Sequence, residues 1–121
     1  MKVLVAHPDA NVRFSLGRFL RSIPGIDVIC FASTANDAVR KALNNRPVLI
    51  VMAWEFEFGV SGFEALVNLL REWPEAKVIM CGRDMEDPGA AQEAIRFGAA
   101  AALPLNLTGP GVTELIQKIL R

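Results

Sequence analysis

Short apolar runs alternate with helical patterns along the whole chain. The runs are almost entirely hydrophobic rather than alternately hydrophobic and polar, which is typical of parallel strands buried on both faces. Between the runs, apolar residues recur every three or four positions, as on one face of a helix. The pattern predicts strands over residues 2–6, 27–32, 48–53, 77–81 and 99–103, each followed by a helix.

Local signals place the ends of the helices. Asp9 and Thr34 suit N-caps, because their side-chain oxygens can accept hydrogen bonds from the free N–H groups of a first turn. A proline after Asp87 suits the first turn of the fourth helix. The predicted helices are residues 10–22, a second capped by Thr34, residues 62–72, a fourth from Asp87-Pro88 to about Phe97, and a fifth from Gly109-Pro110.

These elements predict an α/β fold in which a parallel sheet lies between two layers of helices. Right-handed crossovers restrict the topology, and the flavodoxin-like (βα)5 sandwich with strand order 2-1-3-4-5 suits five strands. We expect residues 1–121 to form a single domain. Ligand chemistry in such sheets lies at the carboxyl ends of the strands, which here are followed by His7, Trp54, Gly82 and Pro104.

Composition narrows the classes of function. Lys and Arg together number 13, as do Asp and Glu, so the net charge is zero and no basic excess points to direct nucleic-acid binding. Two cysteines make neither a disulfide framework nor a metal site. Because no apolar run reaches about 18 residues, a membrane span is not expected. We expect a cytoplasmic protein with reduced thiols.

Seven stretches match one known family in their order and spacing. They are residues 2–5, 12–13, 20–28, 46–47, 62–66, 74–80 and 94–99. Together they resemble the receiver domain of two-component response regulators, and most of all the receivers joined to LuxR-type helix-turn-helix domains. The resemblance covers the full chain and implies a role in phosphorelay signalling and transcription regulation.

The resemblance also implies a chemistry. Receivers transfer a phosphoryl group from a partner histidine kinase to their own aspartate at the end of the third strand. An acidic pair after the first strand holds Mg²⁺, which demands hard oxygen ligands. A hydroxyl after the fourth strand and a lysine after the fifth hold the phosphoryl oxygens.

The sequence departs from that pattern at each of these positions. The acidic pair is replaced by His7 and Pro8, and the acid that follows, Asp9, has a simpler role as a helix cap. We therefore expect a degenerate pseudo-receiver that is not an enzyme and binds no metal or cofactor. The other replacements are Ala53 at the acceptor, Gly82 at the hydroxyl, Leu105 at the lysine, Asn106 at the proline after it, and Ala102 at the aromatic switch position.

Three aromatic residues follow the third strand. Trp54, Phe56 and Phe58 alternate with Glu55 and Glu57, which we interpret as solvated rather than as substitute metal ligands. The aromatics suit an anchor for a partner protein, and they equally suit a plug over the vacant cleft. The sequence leaves both interpretations open.

A second candidate surface comprises the last two helices and the fifth strand, where the family usually dimerises. Ala94, Phe97 and Ala102 would lie on it, and a homodimer there is one hypothesis. Internal packing would explain the same alanine-rich pattern.

Two remaining residues carry reactive groups near the strand ends. His7 suits a ligand, a pH sensor or a phosphate acceptor, and more simply fills space left by the acidic pair. Cys81 would lie about 9–10 Å from His7, because the third strand separates theirs, so a catalytic dyad is not expected. The second cysteine, Cys30, is predicted to lie in the core.

Two functions from different classes remain. The first is a phosphorylation-independent signalling module that binds a kinase, a transcription factor or another copy of itself. The second is a flavodoxin-like domain that binds a small molecule or nucleotide, although no glycine-rich phosphate loop follows the first strand.

Overall fold

Strands and helices alternate throughout the computed structural model, which describes residues 1–104 and 109–121. A short 3-10 helix at Arg83–Glu86 precedes the fourth α-helix. The strands are β1 (Lys2–Ala6), β2 (Val28–Ala32), β3 (Leu49–Ala53), β4 (Val78–Cys81) and β5 (Ala101–Leu103). The helices are α1 (Ala10–Arg21), α2 (Ala35–Asn45), α3 (Gly62–Glu72), α4 (Pro88–Arg96) and α5 (Gly109–Leu120).

The five strands form one parallel sheet in the order β2-β1-β3-β4-β5, which confirms the predicted fold. The register brings their carboxyl ends to one edge. Ala6 pairs with Met52, while Ala53 pairs with Cys81, which in turn pairs with Leu103. Residues that follow these strands therefore gather at the same end of the sheet.

Side-chain caps fix the starts of the helices, as predicted for Asp9, Thr34 and Asp87. The Asp9 carboxylate accepts from the backbone N–H groups of Asn11 and Val12, at 2.8 and 3.3 Å. Thr34 and Asp87 accept in the same way at the starts of α2 and α4. Ser61, which sequence reasoning missed, caps α3.

Two apolar clusters hold the helical layers on the sheet. Alternate residues of β1 supply both, because neighbouring side chains of a strand point to opposite faces. Leu4 belongs to a cluster that includes Leu66 of α3, and Val3 belongs to one that includes Leu20 of α1 and Ile116 of α5. No helix among the described residues is long and apolar enough to span a membrane.

Strand β2 departs from the expectation that each strand is buried on both faces. It lies at the edge of the sheet, so Val28 is exposed and Cys30 is only half-buried rather than a core residue. The carbonyl of Ala32 accepts from His7 N on the β1 side, so the preceding carbonyl, of Phe31, faces outward. Lys41 Nζ of α2 donates to that carbonyl at 2.6 Å.

Candidate functional site

The structure brings three of the predicted site positions to the carboxyl edge of the sheet. His7 follows β1, Ala53 ends β3 and Gly82 follows β4. Leu105 and Asn106 lie outside the described residues. Ala53 is 4% exposed, so its methyl group is buried at this edge. Gly82 is buried with φ at 122°, a backbone conformation that favours glycine.

The loop between β3 and α3 closes tightly onto Ala53. Gly62 N donates to the carbonyl of Trp54 at 2.8 Å. A Cβ atom added to Gly62 would lie 1.8 Å from the Ala53 carbonyl oxygen, which is far inside van der Waals contact. The first residue of α3 must therefore be glycine for the helix to begin directly against the end of β3.

The loop between β1 and α1 is held by a cation. Arg13 Nη1 donates to the carbonyls of His7 and Pro8, at 2.7 and 3.1 Å. His7 Nδ1 accepts from the backbone N–H of Asp9 at 3.0 Å, so Nδ1 is the unprotonated nitrogen of the neutral ring. Sequence reasoning missed Arg13, because a helical pattern does not show where a long side chain places its charge.

The three loop aromatics differ in burial. The Trp54 ring lies 5.3 Å from the Phe63 ring of α3, measured between centroids. Phe56 is half-buried against the same apolar cluster as Trp54. Phe58 instead is 74% exposed. Two of the aromatics therefore pack inward, and only Phe58 of these three is presented to solvent.

The predicted surface of α4 and β5 needs one correction. Ala94 is fully buried in the core, so it cannot contact a partner. Ala94 packs into the core, whereas larger residues of α4 such as Ile95 are exposed. Phe97 is 41% exposed and stacks edge-on against Phe63, with centroids 5.0 Å apart, while Ala102 is half-buried.

Known proteins resemble this chain in both sequence and fold. The chain is 30% identical over 119 residues to the response regulator GacA of Pseudomonas syringae, covering 98% of the chain and 53% of GacA. It is 31% identical to the crystal structure of the response regulator domain of Thermotoga maritima CheB. That match covers 98% of the chain and 92% of the domain, with a TM-score of 0.80.

The chain belongs to the response-regulator receiver family. A LuxR-family response regulator from Aurantimonas matches this receiver with a TM-score of 0.88 at 22% identity, over 98% of the chain and 84% of that structure. No family model matches the sequence. The receiver spans about half the length of the GacA proteins it resembles.

The site residues of this receiver do not fit a magnesium ion. The Ala53 methyl group at the end of β3 offers no oxygen ligand, and the Asp9 carboxylate is engaged by two backbone N–H groups. The Arg13 cation occupies the nearby loop carbonyls. Among residues 1–104 and 109–121, no three His, Cys, Asp or Glu side chains group closely enough to hold a metal.

Cys81 is buried beside Ala53 in the sheet register. Burial raises the pKa of its thiol to about 12, so the thiol stays protonated and weakly nucleophilic at neutral pH. Strand β3 separates β4 from β1, as the sequence predicted. Cys81 and His7 therefore do not form a catalytic pair.

Burial also lowers the pKa of His7 below its usual value of 6.5; the charge of Arg13 acts in the same direction, and that of Asp9 opposes it. Between the lowered pKa and 6.5 the unfolded chain binds a proton that the folded chain does not. The free energy of unfolding should therefore decrease as the pH falls through this window.

Replacing the histidine tests this prediction. In His7→Asn the amide oxygen can still accept from the Asp9 N–H, but it does not titrate. Urea unfolding from neutral pH to pH 5 should show a smaller pH dependence in the variant than in the parent. If stability varied equally with pH in the variant and the parent, His7 would not be the titrating group with a lowered pKa.

Proposed function

We propose that this receiver signals by binding a protein partner and not by accepting a phosphoryl group. The single observation that carries the proposal is the buried methyl of Ala53 at the end of β3, where the family places its phosphoacceptor. A methyl group has no lone pair with which to attack phosphorus. On this proposal the domain is cytoplasmic and has no catalytic activity, cofactor or metal.

The neighbouring groups support the proposal. A phosphoryl group would also need a metal and a ring of donors to balance its charge. Asp9 serves as a helix cap, Gly82 has no side chain, and Arg13 is held by the loop carbonyls. Control would then come from the concentration of a partner or from a shift between two conformations, without covalent modification.

The partner on this proposal is a kinase, a transcription factor or another copy of the receiver. Two exposed surfaces are candidates for the contact. One is the tip of the β3–α3 loop at Phe58, and the other is the face of α4 and β5 around Phe97 and Ala102. A homodimer through α4, β5 and α5 is the alternative to a contact at Phe58.

A cavity between the sheet and helices α1 and α5 favours a second candidate function, binding of a small molecule. It has a volume of about 160 Å³ and includes Leu16, Val51, Leu103 and Ile116 in its lining. Because these side chains are apolar, the cavity suits a small apolar ligand rather than a nucleotide, whose phosphates need donors and cations.

A phosphate-analogue titration tests the main proposal. Amide NMR spectra recorded with beryllofluoride and Mg²⁺, or with acetyl phosphate and Mg²⁺, should be unchanged relative to Mg²⁺ alone. A receiver that carries the acidic pair and the acceptor aspartate is the positive control. Saturable shifts clustered at His7 and Ala53 would refute a phosphorylation-independent function.

A further inference from the structure

An aromatic groove lies between α1 and the edge strand β2. Phe14 is 57% exposed, and its ring meets the Phe31 ring edge-on with centroids 5.4 Å apart. A Cβ atom on Gly17 would lie 2.8 Å from Phe31 Cζ, so the missing side chain lets the ring settle on the helix. The groove beside these residues has a volume of about 470 Å³.

The groove carries positive charge. Arg18 and Arg21 line it together with Phe14 and Phe31, and both arginines are exposed. Helix α1 contains no acidic residue along its whole length, so nothing on the helix neutralises them. An acidic segment with an aromatic side chain complements such a surface in both charge and polarity.

The chain itself contains a segment of that chemistry. Glu55, Glu57 and Phe58 are all exposed in the β3–α3 loop. The loop is anchored beyond its tip, because Val60 N donates to Asn36 Oδ1 at 3.3 Å. This hydrogen bond restrains the loop two residues beyond Phe58, which lowers the entropy lost when Phe58 contacts a partner.

We propose that the loop of one copy inserts Phe58 into the groove of a second copy, with Glu55 and Glu57 facing Arg18 and Arg21. Loop and groove are different surfaces, so the contact is heterologous, and a pair of copies keeps one free loop and one free groove. Copies would associate head to tail. A net charge of zero does little to keep them apart.

Two matched variants test the contact. Phe58→Ser removes the aromatic ring that enters the groove. The double variant Arg18→Glu/Arg21→Glu reverses the charge of the groove. In sedimentation velocity at low salt, the parent should form species larger than one chain as concentration rises, and high salt should weaken them. Each variant alone should stay monomeric while keeping the circular dichroism spectrum and melting temperature of the parent.

Mixing the two variants gives the decisive result. Phe58→Ser keeps an intact groove and Arg18→Glu/Arg21→Glu keeps an intact loop. An equimolar mixture should therefore form dimers but no larger species. Adding Glu55→Arg/Glu57→Arg to the Arg18→Glu/Arg21→Glu variant should restore self-association, because the loop is then positive and the groove negative. This rescue separates a direct contact from a general loss of solubility.

Other outcomes overturn the inference. The inference is wrong if the parent stays monomeric at all concentrations. It is also wrong if both variants still associate, and that result would point to the face of α4, β5 and α5. A groove that binds an acidic aromatic peptide but not the receiver itself would assign it to a different partner. The contact supplies a partner for the proposed function, which the beryllofluoride titration tests separately.

Discussion

A Gly62→Ala variant is expected to lose about 3 kcal/mol or more of its free energy of unfolding. The added methyl would lie 1.8 Å from the backbone oxygen of Ala53, and a backbone atom in the central strand cannot move aside as a flexible side chain can. Either α3 shifts away from the end of β3, or the hydrogen bond from Gly62 N to Trp54 breaks. Urea denaturation measures the loss.

Gly111→Ala is the matched control. Gly111 lies in α5, and among residues 1–104 and 109–121 a Cβ atom there would meet nothing within 4 Å. Alanine in an open helical position should raise the free energy of unfolding by up to about 1 kcal/mol. Equal losses in the two variants would show that the close contact between Gly62 and Ala53 is not what makes glycine necessary.

An Ala53→Asp variant is expected to be destabilised and still not phosphorylated. At a position only 4% exposed, a charged carboxylate would lose its hydration, at a cost of several kcal/mol. Desolvation should raise the pKa of the new carboxyl above the ordinary value of about 3.9. The folded state then binds more protons than the unfolded state, so the stability deficit should grow as the pH rises between these two pKa values.

Incubation with labelled acetyl phosphate and Mg²⁺ should leave the Ala53→Asp protein unlabelled, because restoring the acceptor restores neither the acidic pair nor the lysine. In the control Ala53→Asn, the asparagine side chain has nearly the shape of aspartate but carries no charge. The stability of this control should not show the added pH dependence. A labelled aspartyl phosphate would contradict the expectation that the rest of the phosphorylation site is lost. A variant as stable as the parent at neutral pH would contradict the burial argument.

The order of the sheet could be predicted because each strand is a short apolar run and right-handed crossovers leave few arrangements of such runs. The exposure of the edge strand β2 was not predicted. The residues of β2 are as hydrophobic as those of β3, yet Cys30 is half-buried because only β1 lies beside it. Exposure at an edge depends on the neighbours of a strand and not on its own composition.

The site was predictable as a set of positions but not as a set of contacts. The apolar runs indicated that His7, Ala53 and Gly82 lie at the carboxyl ends of neighbouring strands. It gave no sign that Arg13 reaches back to two loop carbonyls, or that Phe58 points outward while Trp54 packs on Phe63. The burial of Ala94 was also missed, because the hydrophobic pattern of α4 gives small and large residues equal weight.

The lysine that spans from α2 to β2 has a consequence for solubility. An open sheet edge is a template on which another chain can add a strand, and it is a common starting point for fibrils. Here Lys41 already occupies the outward carbonyl of Phe31, and its ammonium group also lies 3.2 Å from Asp37. An incoming strand would have to displace a paired charge, so amyloid-like growth along this edge is disfavoured.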